Sequence, residues 1–176
     1  MPLETTELIE RLARFPAALR AAASCFSADE TRWKPAPQHW SVLEIVSHVA
    51  DEEHEDFAPR LRATLEGRAW EPLDFDAVAE RRGYNTRDLD TELARFASAR
   101  ADNVRWLRTL IETRPDFSIA YQHPQLGPIA AGDLLTSWSA HDALHLRQIA
   151  KRLHNLASRD AEASGFAVTY AGDWTA

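Results

Sequence analysis

The chain is poor in the residues that staple or punctuate a fold: it has one cysteine, one methionine and six glycines among 176 residues. A lone Cys25 excludes an intrachain disulfide and suits a reducing compartment. No run approaches the roughly 20 apolar residues that a membrane-spanning helix requires. The first ten residues are polar and acidic, without the apolar stretch of a secretory signal, so the cytoplasm is the expected location. Basic clusters are short as well. The longest are Arg81-Arg82 and Lys151-Arg152, and the net charge is -7. Phosphate backbones and anionic lipids need a concentrated basic face, so neither nucleic acid nor membrane is expected as a partner.

Alternating strand patterns and internal repeats are also missing. What is present is a 45% hydrophobic, 27% charged composition, long enough for one domain with its own core. Alanine, leucine, glutamate and arginine favour helix, and the apolar spacing predicts four. The first runs from about Glu4 to Cys25 on a stripe of Leu8, Leu12, Phe15, Leu19, Ala22 and Phe26. Pro16 inside it should kink or interrupt it. After an extended loop at 33–40, the second begins with a capping box, Ser41 with Glu44, and runs to a stop at Gly67. Residues 68–85 read as a connection. The third helix starts near Thr86 or Asp88 and ends before Pro115, and a further loop extends to about Ala130. The fourth spans about Ala131 to Ala157, with Leu134, Leu135, Trp138, Leu146, Ile149, Leu153 and Leu156 as its core stripe. The fold expected is an all-α four-helix bundle over residues 1–158. A tail, 159–176, could pack back through Phe166, Tyr170 and Trp174.

The chemistry-bearing residues concentrate on the fourth helix. His141 and His145 are four apart, so both imidazoles project from one face within reach of one ion. Taken alone, this spacing reads as readily as two histidines packed in the core. His48 changes the balance. It lies at the margin of the second helix's apolar stripe, and if the second and fourth helices run parallel it reaches a height similar to that of His141. Three neutral imidazoles on a divalent ion would leave positions open, as catalytic sites do. A di-iron carboxylate site does not fit, because no Glu-x-x-His motif occurs here. Nor does a zincin site, since Asp142 stands where its glutamate would be. Asp142 reads as a support for the site or as a surface residue.

The segments Trp40-Ser41-Val42-Leu43-Glu44-Ile45-Val46-Ser47-His48 and Ala140-His141-Asp142-Ala143-Leu144-His145-Leu146-Arg147-Gln148 resemble the DinB-like superfamily, in its DinB_2-type branch. The order of elements agrees over about residues 4–157. The resemblance implies a bundle, often dimeric, with His48, His141 and His145 as ligands of zinc, nickel or a similar divalent ion. It also implies a small-molecule substrate. Relatives include transferases that use low-molecular-weight thiols and an isomerase. A stress-linked binding or dimerisation module without catalysis is the alternative.

Other residues carry weaker expectations. Arg100, with Asn103, could face the interior and hold an anionic group of a substrate or cofactor; a second phase of that helix leaves Arg100 on the flank. Tyr84 could edge the site as a hydroxyl donor. Glu52, one turn past His48, could support a ligand or act as a base, with a solvated face the favoured reading. His39, His54, His123 and His154 read as surface or loop residues, and Cys25 has no basic neighbour in sequence to activate it. Trp40 is expected to wall the bundle end near His48.

Overall fold

The computed structural model describes residues 4–70 and 79–172, so the expected packing of Trp174 lies outside the described residues. Among the described residues the main helices are α1 (Thr5–Ala23), α2 (Val42–Glu55), α3 (Phe57–Leu65), α4 (Leu89–Glu112) and α5 (Ala131–Ala163). A two-stranded antiparallel hairpin, β1 (Ala120–His123) and β2 (Gly127–Ala130), fills part of the expected loop before α5. The second predicted helix is really two. Asp56, at φ -117 and ψ -97, breaks it between α2 and α3.

Local chemistry explains the starts. Ser41 accepts from the Glu44 N–H at 3.1 Å, and Glu44 accepts from the Ser41 N–H at 2.8 Å, closing the expected box. Asp88 caps α4 by accepting from the Thr91 N–H. Without a side-chain cap at Ala130, α5 relies on Asp133, which accepts from the Ala130 N–H at 2.9 Å. It also runs past its expected end, to Ala163. Phe166 and Tyr170 beyond it stand exposed rather than packed on the bundle.

Packing partners fix the topology. At one end of the bundle, Ile9 and Leu12 of α1 meet Leu61, Leu107, Leu135 and Trp138. At the other, Leu19 and Ala23 meet Val42, Ile45, Leu93 and Ile149. The helices therefore run up (α1), down (α2 and α3), down (α4) and up (α5). α1 packs on α4 and α5, as does α2, while α1 and α2 lie diagonally opposite. α2 and α5 are antiparallel, which corrects the parallel arrangement assumed from sequence. Trp40 meets Arg152, His48 meets His145, and Glu53 meets Trp138. The heights still coincide, because both histidine sets lie near mid-helix.

Between the two apolar clusters lies a buried polar layer centred on Arg100, which is 1% exposed. Its two Nη atoms donate to both oxygens of Asp142 at 2.7 and 2.8 Å, and Nη2 also reaches Glu53 at 2.8 Å. Asn103 and the Trp138 indole N–H donate to the same Glu53 carboxylate. Burial opposes the charge on Arg100, yet the two carboxylates outweigh it and hold its pKa up. Burial likewise pushes Asp142 up to about 6 against the pull of Arg100. The remaining contact of Nη1 is the Leu12 carbonyl, at 3.1 Å. Pro16, four residues on, has no N–H to give that carbonyl, so α1 passes through its proline without ending. Pro16→Ala should accordingly stabilise the chain by well under the ~3 kcal/mol usual for an interior proline. Denaturant titration of the two proteins checks this.

Candidate metal centre

α2 carries three consecutive acids, Asp51, Glu52 and Glu53, and all are buried. Successive helical residues turn by about 100°, so each meets a different neighbour. Asp51 accepts from the Tyr84 hydroxyl at 2.6 Å and pairs with Arg82 and Arg95. Glu53 joins the Arg100 layer. Glu52 faces α5, and there the histidines are.

His48, Glu52, His141 and His145 each offer a ligand atom, and these atoms lie within 4.8 Å of one another. Glu52 Oε1 is 3.2 Å from His48 Nε2, and its Oε2 is 3.2 Å from His141 Nδ1. The Nε2 atoms of His141 and His145 are 3.2 Å apart. Two nitrogens held about 2.05 Å from one tetrahedral ion would be separated by ~3.3 Å, so the spacing fits a shared ion. His145 Nδ1 lies 2.9 Å from Gln148 Oε1, an acceptor, which sets Nδ1 as the protonated nitrogen and leaves the Nε2 lone pair for ligation.

Electrostatics point the same way. Burial pushes the Glu52 carboxyl up to about 8, with the His141 charge opposing it. Burial also pushes His145 down to about 3, helped by its histidine neighbours, and lowers His141. Desolvation thus favours neutral imidazoles, the form that ligates, and leaves the carboxylate to be kept ionised by a cation. Trp40 packs on the His48 ring with centroids 4.6 Å apart, walling that side as expected. Phe57, brought round by the break at Asp56, lies 5.2 Å from the His141 ring and stacks on Trp138. His141 is the most open member, its side chain 28% exposed against 5% for His48 and His145.

Other sequence expectations fall elsewhere. Arg100 faces the interior, where Asp142, Glu53 and the Leu12 carbonyl take up its two Nη groups, away from the histidine cluster. Tyr84 is fully buried and gives its hydroxyl to Asp51 rather than to the histidines. Asp142 anchors Arg100 from beside His141. Glu52, favoured from sequence as a solvated residue, sits at the centre of the cluster. Its own helix gives no apolar signal for this, since Asp51–Glu53 is followed by His54 and Glu55; the burial comes from the neighbouring helices.

The family model of the DinB superfamily matches residues 11–149. Among solved structures, YfiT from Bacillus subtilis superposes with a TM-score of 0.76 at 23% identity, covering 89% of this chain and 93% of that one. That protein is described as a probable metal-dependent hydrolase with an unusual four-helix bundle topology. Comparison with curated proteins gives no match.

Proposed function

The chain belongs to the DinB superfamily, and from that membership together with the histidine–glutamate cluster we propose that it is a divalent-metal-dependent enzyme acting on a small molecule. The observation that carries the proposal is the convergence of three imidazoles and one buried carboxylate within 4.8 Å. His48, His141 and His145 would hold the ion, zinc or nickel as the family resemblance implies, with Glu52 beside it as a fourth donor, through oxygen, or as a proton acceptor. A bound divalent ion supplies Lewis acidity, which makes a thiol or water acidic near neutral pH. Glu52 receives the proton at a carboxylate oxygen. Gln148 keeps His145 in one tautomer, and Trp40 and Phe57 exclude bulk water from the two flanks. Within this reading we place transfer of a low-molecular-weight thiol to an electrophile first, with hydrolysis, the chemistry ascribed to YfiT, as its sibling. A homodimer and a cytoplasmic location belong to the same proposal.

Two measurements test it. Untagged protein should contain about one divalent ion per chain by elemental analysis, and that protein should consume monochlorobimane only when a thiol is supplied. Metal without turnover would favour the binding-module reading instead. Gln148→Leu should lower metal affinity by about 10–100-fold through loss of the His145 orienting bond, with the helical content unchanged. A chelator competition read by metal content measures this.

A further inference from the structure

The face of α5 that carries His141 and His145 continues past them. Gln148 and Arg152 follow at helical spacing, and the two turns from His145 to Arg152 cover about 10 Å. A cavity of about 350 Å³ lies over this stripe, with Trp40, His48, His145, Gln148 and Arg152 among its walls. No aspartate or glutamate among the described residues lines it.

Arg152 differs from the other buried arginine. Both Nη groups of Arg100 pair with carboxylates, whereas Arg152, 7% exposed, makes one hydrogen bond, from Nε to the Trp40 carbonyl at 2.6 Å. Neither of its Nη groups donates to a described residue, and no carboxylate among the described residues lies within ion-pair distance. The nearest acid to act on it, Glu44, is already engaged: it caps Ser41 and pairs with Lys34 at 3.0 Å. Burial holds the guanidinium below its ordinary range. Its Nη groups keep solvent contact at the cavity wall, and a fork of N–H donors with no protein acceptor among the described residues suits a planar oxyanion.

We propose that Arg152 is the anchor for an oxyanion, carboxylate or phosphate, at one end of a small molecule whose other end reaches the histidine–glutamate cluster. This rests on the reading of that cluster as the reactive centre. The ligand class is then an anionic small molecule, and Arg152 selects it against neutral analogues. The hydrogen bond from Nε to the Trp40 carbonyl fixes the fork, and the same loop residue packs on His48, so anchor and cluster share one rigid wall.

Cobalt-loaded protein gives a readout independent of turnover, the thiolate-to-cobalt absorption band. Titrations with ω-mercaptocarboxylates of three to six carbons should bind at least ten-fold tighter than the matching ω-mercaptoalcohols. Arg152→Gln should abolish that preference while leaving cobalt stoichiometry and alcohol binding unchanged. Competition by glutarate or by inorganic phosphate then distinguishes the two oxyanions. An equal preference in wild type and variant, or no preference in wild type, overturns the proposal. Parallel loss of alcohol binding also overturns it, since Arg152 would then only position Trp40. If Arg152→Gln does not fold, Arg152→Lys must show the preference reduced. Should the chain take up no cobalt, the metal reading fails by itself. The anchor is then judged on metal-free protein, whose thermal midpoint glutarate or phosphate must raise in wild type and not in the variant.

Discussion

Arg100→Met is expected to cost about 3–5 kcal/mol, a large fraction of the roughly 5–15 kcal/mol of an ordinary domain. The methionine would fill much of the volume, but Glu53 and Asp142 would be left as buried carboxylates without a counter-charge. The Leu12 carbonyl, released by Pro16, would lose its donor as well. Equilibrium denaturation measures the loss. The deficit should narrow as the pH falls towards the unfolded carboxylate range near about 4, because protonation removes the unpaired charges. Replacing Glu53 and Asp142 by Gln and Asn in the same chain should recover part of it. A deficit below about 1 kcal/mol would mean that the layer relaxes or admits water.

The second large effect is on metal. His48→Ala should reduce the bound ion from about one per chain to under a tenth, a loss exceeding the 10–100-fold typical of removing a supporting residue. It should also abolish any rise in melting temperature on adding zinc or nickel, since stabilisation by a ligand follows its affinity for the folded chain. His48 is the sole histidine of the cluster contributed by α2. Removing it leaves the α5 pair and Glu52, a weaker chelate. Unchanged metal content in the variant would sink the metal centre as drawn here.

Much of the scaffold was legible because its signals are local. The Ser41–Glu44 box, the Asp88 cap and the four apolar stripes can be read within a few residues. The break at Asp56 had a mark in Pro59, which has no N–H to give the Glu55 carbonyl, but the apolar spacing continues through Phe57 and Leu61 and masks it. The hairpin escaped for a related reason: strands of four residues, one holding Pro128, are too short for alternation to register. At the site, His141 and His145 followed from spacing, and His48 from spacing together with family resemblance. Glu52 and the occupied state of Arg100 depend on which helices are neighbours, and that is a long-range property. A lone acid or arginine at a given helical phase carries no mark of the partner it will meet.

The up-down-down-up order has a kinetic corollary. In a bundle of successive hairpins each helix finds its neighbour nearby in the chain, whereas here α1 must wait for α4 and α5, and α2 for the same two. Neither diagonal pair, α1 with α2 or α4 with α5, can bury its apolar stripe as an autonomous hairpin. Most core contacts therefore close long loops, which raises the relative contact order and slows folding compared with a hairpin-linked bundle of equal length. Partial structures, such as a chain truncated before α5, should lack a stable subdomain and collapse as a whole.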